Sequence, residues 1–359
     1  MTRTRSSSPF RTCASALGLV LIASVLAASS AWAAKAASSS THRYHVVDRW
    51  LIGGEGGWDY LTADPQARRL YITHATQVEV LDLDKGTKLG VIPGTAGAHG
   101  VALAPALGKG YIASGRDSTI LVFDLATLAV KSRIAVPARF PDALLYEPAT
   151  KRVISFNGGS DNACAFDAAT GAFVDSLPLG GTPEFAVPDG AGEVFVNLES
   201  TSEIVEFNAS TLKIEHRWPL APGEEPTGLA LDRVHHLLFS GCHNRNFVVM
   251  NATTGVVVDA MMIGEGVDAV AFDAKRGTAF SSNGDGTLSV AREKQPGHFA
   301  IAETDSTQRG ARTMALDEKT GRVFVVTASF GPTPDPTTDH PHPRPPVLPG
   351  TFVVLVLAP

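Results

Sequence analysis

Short apolar segments alternate with tight polar turns along this chain, and one such pattern returns seven times. In residues 142–179, two apolar segments flank a polar turn, and the second of them ends at Asn157. A third strand-like segment, an Ala-Ala-Thr-Gly hairpin and an outer segment follow. Alternation of apolar with small or polar residues, bounded by Gly, Pro and Asx clusters, is typical of β-strands. Each repeat is therefore predicted to form four strands.

The spacing of the repeats is nearly constant, at 41 to 44 residues. The first turn of successive repeats begins at Asp64, Pro105, Glu147, Asp189, Asp232, Asp273 and Asp317. Strand-rich repeats of roughly this length indicate a β-propeller with one four-stranded blade per repeat. We therefore predict an all-β fold, a seven-bladed β-propeller.

The last repeat supplies only three strands, at 312–316, 322–327 and 351–357. A further strand-like segment at 44–51 precedes the first repeat and belongs to no blade. Pairing 44–51 with 351–357 would complete the seventh blade and leave no open edge between the first and last blades. The N-terminal strand is therefore predicted to close the ring.

The N-terminus is predicted to be a signal peptide. Arg3, Arg5 and Arg11 precede an Ala-rich apolar stretch, and a small-x-small cleavage site ends at Ala33. We divide the chain into a signal peptide (1–33), a flexible segment (34–41) and a propeller (42–359), and we expect a secreted or periplasmic protein. The alternative is that the leader is retained as a membrane anchor. No later segment is long and apolar enough to cross a bilayer.

A proline-rich insertion interrupts the last repeat at residues 331–350. Because proline cannot donate to a β-ladder, this segment is predicted to be an extended loop over one face of the propeller. It contains His340 and His342. Two histidines without a third ligand favour an exposed loop over a metal site.

Charge and cysteine content restrict the function further. Removing the three arginines of the leader changes the net charge from −6 to −9, because the leader contains no acidic residue. An acidic protein is a poor default for nucleic-acid binding, although a local basic patch could override the total. Cys164 and Cys242 lie in repeats that are not neighbours around the ring. They are predicted to be buried free thiols.

The second strand and the outer hairpin of the repeats carry a family resemblance. The second-strand segments 69–73, 110–114, 193–197 and 322–327 and the Asp-x-x-Thr-Gly hairpins resemble those of YVTN-repeat propellers, also called YncE-like proteins. The resemblance covers residues 42–359. It implies a secreted or periplasmic seven-bladed propeller, with ligand or nucleic-acid binding suggested for some members and no established catalytic activity.

The repeat register also predicts which residues meet at the central channel. Five residues before each turn stand Asp59, Gly100, Asp142, Glu184, Thr227, Asp268 and Arg312, with His99 beside them. At the end of the second strands stand His74, Asn157, Asn197, His243 and Asn283. We predict that these polar residues surround the channel mouth and form the ligand-binding face.

Two interpretations of this polar ring remain open. Carboxylates and Asn carbonyls are the hard oxygen donors that Ca²⁺ and Mg²⁺ prefer, so a divalent cation could bind there. The candidate ligands are Asp59, Asp142, Glu184 and Asp268. Any propeller must also place polar residues at a solvated channel mouth, so a hydrated ring without a metal is the alternative.

The opposite face is predicted to be basic. The turns between first and second strands carry Lys or Arg in six of seven repeats, namely Arg68, Arg69, Lys109, Lys151, Arg152, Arg233, Lys275, Arg276, Lys319 and Arg322. Such a basic rim could contact phosphates. Ordinary solvated turn charges are the simpler interpretation.

We therefore predict a secreted, non-enzymatic propeller that binds a small ligand, peptide or polymer at its channel face. It has no G-x-S-x-G, H-E-x-x-H, P-loop or C-x-x-C motif, and no catalytic residue is assigned. No cofactor is expected except Ca²⁺ or Mg²⁺ under the alternative of a lactonase-type, metal-dependent hydrolase. A further alternative is nucleic-acid binding through the basic rim. We expect a monomer with no transmembrane segment after signal cleavage.

Overall fold

Seven four-stranded antiparallel sheets form a ring, as the repeat predicted. The computed structural model describes residues 43–337 and 343–359. The predicted signal peptide, the segment 34–41, and His340 and His342 of the insertion lie outside the described residues. Within the described part of the chain, no helix is long and apolar enough to cross a membrane.

Blades one to six each use four consecutive strands, ordered from the channel outward. Blade one contains β2 (Trp58–Asp64), β3 (Arg69–His74), β4 (Gln77–Asp82) and β5 (Lys88–Pro93). Blade two contains β6 (Ala98–Ala104), β7 (Lys109–Ser114), β8 (Thr119–Asp124) and β9 (Val130–Ala135), with a short 3₁₀ turn at Pro105–Leu107. Blade three contains β10 (Pro141–Glu147), β11 (Arg152–Asn157), β12 (Asn162–Asp167) and β13 (Phe173–Pro178).

The next three blades follow the same plan. Blade four contains β14 (Pro183–Pro188), β15 (Glu193–Leu198), β16 (Glu203–Asn208) and β17 (Lys213–Pro219). Blade five contains β18 (Pro226–Asp232), β19 (Leu237–Cys242), β20 (Asn246–Asn251) and β21 (Val257–Met262). Blade six contains β22 (Val267–Asp273), β23 (Thr278–Asn283), β24 (Thr287–Gln295) and β25 (His298–Ser306).

The seventh blade joins the two ends of the propeller. It contains β26 (Met314–Asp317), β27 (Arg322–Thr327), β28 (Val353–Ala358) and, outermost, β1 (His45–Leu51). The register runs antiparallel from His45 opposite Ala358 to Leu51 opposite Val353. The prediction that the N-terminal strand closes the ring is confirmed.

The apolar core lies in the seams between blades. Second strands such as β3 and β11 are buried on both faces along nearly their whole length, and their centres are mainly apolar. At the seam between blades seven and one, Leu70 and Ile72 pack in one cluster with Phe324 and Val354. Burial of apolar surface between neighbouring sheets is the main stabilising contribution, so each blade depends on the blades beside it.

The hairpins between third and fourth strands are held by their Asx residues. The side-chain Oδ1 accepts hydrogen bonds from backbone N–H groups further along each turn, the motif that makes Asp and Asn favourable there. The residues that do this are Asp82, Asp124, Asp167, Asn208 and Asn251. These recurring turns are part of the scaffold and need no functional explanation.

Glycine allows the innermost strands to approach closely around the channel. A Cβ at Gly100 would lie 2.6 Å from the backbone nitrogen of Leu144 in the next blade. A Cβ at Gly228 would lie 2.6 Å from the nitrogen of Val270. Any larger residue would push these blades apart, so the glycines fix the diameter of the channel at these two seams.

Candidate functional site

A β-bulge in the innermost strand orients the polar residues toward the channel. In blades one to six, the pairing of first and second strands shifts by one residue near the start of the first strand. The residues inside these shifts include Asp59, His99, Asp142, Glu184, Thr227 and Asp268. Bulges commonly redirect side chains at functional sites. The repeat therefore places one side chain per blade at the same height in the channel.

These side chains line a cavity of about 820 Å³ at the channel mouth. Of the residues that the sequence predicted, the cavity brings together Asp59, His99, Asp142, Glu184, Asp268, Arg312 and His243. Glu199, Arg116 and Arg344 also line it, so five carboxylates share one cavity with three guanidinium groups and two imidazoles. The volume is sufficient for a small organic molecule.

His99 forms the centre of one charged group. Its Nδ1 lies 2.5 Å from Asp59 Oδ2 and 3.3 Å from Asp142 Oδ1. Burial opposes charging of this imidazole, but the hydrogen bonds to Asp142 and Asp59 outweigh it and raise the pKa of His99 to about 10. Burial raises the pKa of Asp59 to about 6, although the bond to His99 acts in the opposite direction. At neutral pH, protonated His99 therefore bridges two carboxylates.

The position of the His99 ring is set by its neighbours in blades two and three. The ring packs against Phe140, with 5.0 Å between ring centroids. On its other side is Gly115, where a Cβ would lie 2.9 Å from the imidazole. A side chain at Gly115 would displace the ring, so this glycine keeps His99 between its two carboxylates.

Glu184 is the carboxylate without a compensating charge. Within the described residues its side chain makes no hydrogen bond or ion pair, whereas Asp268 Oδ2 lies 3.3 Å from Arg312 Nη1. Burial, reinforced by Asp142, Glu199 and the other acids of the cavity, raises the pKa of Glu184 to about 9. Burial also raises the pKa of Asp268, with Arg312 opposing the change. Glu184 is therefore mainly neutral at pH 7 unless a cation lies beside it.

A small inner chamber of about 40 Å³ continues the cavity below the carboxylates. Its walls include Tyr60 and Phe185, whose rings stack with centroids 5.4 Å apart. Burial and the nearby carboxylates raise the pKa of Tyr60 well above its ordinary value of 10. Thr313, only 5% exposed, also lines the chamber, and its Oγ1 has no hydrogen-bond partner in the described part of the chain. An unpaired buried hydroxyl is costly, which makes this chamber a place for a polar group.

Four of the predicted site residues are not at the cavity. Asn157, Asn197 and Asn283 are fully buried inside their blades, and His74 is nearly so. The amide of Asn197 donates to the carbonyls of Thr227 and Gly228 in the next blade. The structure therefore does not bring these four predicted positions to the channel: the three Asn side chains complete buried hydrogen bonds, and the ring of His74 is buried away from the cavity.

The bonds of the other three residues are also internal. Asn157 donates to Asn162, and Asn283 donates to Thr287 and Ser289. His74 lies 3.8 Å from Glu79 and packs against Phe352. The amides of Asn157 and Asn283 hold β-strands together, whereas both ring nitrogens of His74 are buried without a hydrogen-bond partner in the described structure.

Among the described residues that line the channel, one group has metal-ligand spacing. Oxygen and nitrogen atoms of Asp59, His99 and Asp142 lie within 4.8 Å of one another. Ca²⁺ takes six to eight oxygen ligands at about 2.3–2.6 Å, and this group offers two carboxylates and an imidazole. Among the described residues, Glu184 and Asp268 do not join this group.

The basic rim on the opposite face has a structural role. Arg69 Nη1 donates to the carbonyl of Leu125 in the next blade, and Arg152 Nη1 does the same to Ala209. The same kind of contact joins Lys109 to Ala169, Arg233 to Pro188 and Asp189, Arg276 to Thr320, and Arg322 to Asp84. Arg68 pairs with Asp84 and Asp317. Lys151, Lys275 and Lys319 are exposed.

Reasoning from the sequence missed several residues of the site. Tyr60 and Phe185 directly follow Asp59 and Glu184 inside the bulges, and an aromatic residue at that position in two repeats was the available signal. Glu199 lines the cavity two residues after Asn197. Thr313 gave no signal, because nothing in its local sequence distinguishes it from an ordinary strand residue.

The fold and the site define a seven-bladed β-propeller with an acidic cavity at its channel mouth. The solved structure of U3-55K is similar to it, with a TM-score of 0.70 over 87% of this chain and 98% of that chain, at 9% sequence identity. At that identity the likeness shows the propeller fold alone. No protein-family model and no curated protein matches the sequence.

Proposed function

We propose that the protein is a non-enzymatic binding protein that takes a small organic cation into the acidic cavity of its channel. The charge balance of the cavity carries this proposal. His99 pairs with Asp59 and Asp142, and Arg312 pairs with Asp268. Glu184 has no partner in the described chain, so its carboxylate is the one that a ligand cation can pair with.

The inner chamber favours an ammonium group as that charge. Its volume of about 40 Å³ accommodates one group the size of an ammonium or a water molecule. The stacked rings of Tyr60 and Phe185 offer aromatic surface to a cation. The unpaired hydroxyl of Thr313 can accept a hydrogen bond from its N–H. A primary ammonium satisfies all three features.

Calorimetric titration with butylammonium, at constant ionic strength, tests this function. We expect saturable binding of butylammonium and none of butanol, which has the same chain without the charge. Glu184→Gln should weaken binding by about tenfold, because a charged hydrogen bond contributes about 1.5–3 kcal/mol. Glu224→Gln, which alters an exposed carboxylate outside the cavity, is the matched control. Equal binding of butanol and butylammonium would overturn the proposal.

A divalent cation is the second candidate, and the group Asp59–His99–Asp142 favours it. The metal would have to displace the His99 proton, so its affinity should rise steeply with pH. Metal analysis and thermal unfolding with Ca²⁺, Mg²⁺ or Zn²⁺ test this candidate. Hydrolysis of a lactone by the metal-loaded protein would extend it to the lactonase alternative.

We also propose that the protein is secreted. The leader-like residues 1–33 and the resemblance to YVTN-repeat propellers support secretion, which sequencing the N-terminus of exported protein tests.

Nucleic-acid binding through the basic rim is less well supported, because several of the rim cations already bond to carbonyls of neighbouring blades. Retention on single-stranded DNA that falls with salt would revive it.

A further inference from the structure

We infer that the ligand is dipolar: its anionic end, a carboxylate or a phosphate, binds Arg309, Arg312 and Arg344 in a side cavity next to the channel mouth. This inference rests on the proposed function, since it assigns the other end of the same ligand. Two cavities are continuous at this place, three guanidinium groups converge on it, and the proline-rich insertion lies beside it.

The side cavity has a volume of about 460 Å³ and opens directly from the main one. Both are lined by Trp58, His243, Arg312 and Arg344. A molecule whose cationic head lies among the carboxylates can therefore extend into the side cavity without leaving the channel mouth.

The three arginines make this side cavity positively charged, whereas the carboxylates make the main cavity acidic. Within residues 43–337 and 343–359, neither Arg309 nor Arg344 has a carboxylate partner, and Arg312 is 3.3 Å from Asp268. Guanidinium groups bind carboxylates and phosphates through paired hydrogen bonds. Their convergence on one cavity is best explained by an anion that they bind together.

The wall between these arginines is apolar and holds one further unsatisfied donor. Phe330, Pro345 and Val347 line the cavity beside Trp58. The Trp58 ring is fixed by packing against Phe330, with ring centroids 6.1 Å apart, and its buried Nε1 has no acceptor in the described structure. An indole N–H in this position can donate to the same anionic group.

The insertion at 331–350 has a role in this arrangement. Its two limbs are tied by an antiparallel bridge between Phe330 and Val347 and by hydrogen bonds from Gly331 to the Pro346 carbonyl and from Leu348 to the Ser329 carbonyl. These bonds hold Arg344 and its neighbours over the side cavity. The loop that interrupts the seven-fold repeat thus supplies Arg344, Pro345 and Val347 to the anion-binding wall.

The test compares probes that carry one charge or both. Butylammonium carries only the cation, hexanoate only the anion, and 4-aminobutyrate, 6-aminohexanoate and 8-aminooctanoate carry both at increasing separation. Calorimetry should show at least one amino acid of the series binding about tenfold more tightly than butylammonium, the gain expected of one charged hydrogen-bonded contact. Replacing the carboxylate of the best probe by a phosphate distinguishes the two anions.

The variants separate this inference from the proposed function. In Arg309→Gln, which alters a residue that lines the side cavity but not the main one, the gain should fall, while the affinity for butylammonium stays within about twofold of wild type. In Arg309→Gln/Arg344→Gln the gain should disappear, and butylammonium should bind more tightly than to wild type, because Arg344 also lines the main cavity and its positive charge is lost. The control Lys151→Gln/Lys213→Gln removes two exposed cations outside both cavities and should leave the gain intact.

Each outcome of the series decides one point. If butylammonium binds and no amino acid binds more tightly, the dipolar ligand is refuted and the cation site stands. If the double variant keeps the full gain, the anion lies elsewhere and the inference is refuted. If hexanoate binds and butylammonium does not, the proposed cation function itself fails.

Discussion

Glu184 should make this protein less stable as the pH rises through neutrality, and Glu184→Gln should remove that loss. Burial raises the pKa of Glu184 from its ordinary value of 4.5 to about 9. The folded chain therefore keeps a proton that the unfolded chain releases above pH 4.5. The contribution of Glu184 to folding stability is greatest below pH 4.5, falls as the pH increases, and stops falling above the folded pKa of about 9.

The size of the effect follows from the same pKa values. Each pKa unit corresponds to about 1.4 kcal/mol. If the whole pKa shift of Glu184 acted on folding, the free energy of unfolding would fall by about 6 kcal/mol between the unfolded and the folded pKa. The cavity is open to solvent, and the neighbouring carboxylates relax together with Glu184, so we expect about 2–3 kcal/mol between pH 5.5 and 8.5. Glutamine has nearly the shape of protonated glutamate but cannot ionise, and it should keep the low-pH stability.

Urea unfolding at pH 5.5 and 8.5 measures the difference directly. Wild type and Glu184→Gln should have similar unfolding free energies at pH 5.5, and the variant should be the more stable at pH 8.5. His99, whose pKa is raised to about 10, also lowers stability as pH rises above 6.5, but it is present in both proteins and cancels. Glu224→Gln should match wild type at both pH values.

A constant difference between wild type and Glu184→Gln at the two pH values would refute the reasoning. It would mean that Glu184 ionises like an exposed carboxyl group, and the argument that Glu184 lacks a compensating charge would fail with it. Saturating butylammonium provides a second check. By favouring the ionised form of Glu184, it should make the stability of wild type less dependent on pH.

Three other perturbations test the scaffold around the site. Trp50→Ala should lower the free energy of unfolding in urea by about 3–5 kcal/mol, because this buried ring of the closing strand packs against Phe324 of the seventh blade. A loss below about 1 kcal/mol would contradict its role in ring closure. Arg152→Ala should cost about 1 kcal/mol through its lost contact with the next blade, whereas the exposed neighbour Lys151→Ala should cost less than about 0.5 kcal/mol. Burial raises the pKa of Cys164 to about 11 and that of Cys242 to about 12, so a thiol reagent at pH 8 should modify neither until the protein is unfolded.

The repeat alone was sufficient to predict the fold, for a physical reason. Each blade must bury both faces of its inner strands against its neighbours, so the same apolar pattern has to return at every blade. Asx residues return at the outer hairpins of blades one to five, because they satisfy the backbone of the turn, whereas blade six turns at Pro296 and Gly297 instead. The predicted pairing of 44–51 with 351–357 is confirmed by His45–Leu51 opposite Val353–Ala358.

The candidate site was only partly predictable, because a local pattern does not distinguish a solvated polar side chain from a buried one that is satisfied. Asp59 and Glu184 lie at the cavity since the bulge repeats in register with the turns. Asn157 and Asn283 occupy equally regular positions, yet they complete hydrogen bonds within their own blades. Only the three-dimensional partners separate the two cases.

Blade four shows how far a departure from the repeat can be explained by packing. Glu193 stands where Arg69, Lys109 and Arg152 donate to the next blade, so this seam cannot be joined in the same way. Asn208 instead donates to Glu193 Oε1 at 2.7 Å within the blade. The seam is joined from the other side, because Arg233 of blade five donates back to the carbonyls of Pro188 and Asp189. The basic residues of the rim are thus distributed as the seams require, and losing one should lower stability before it changes what the channel binds.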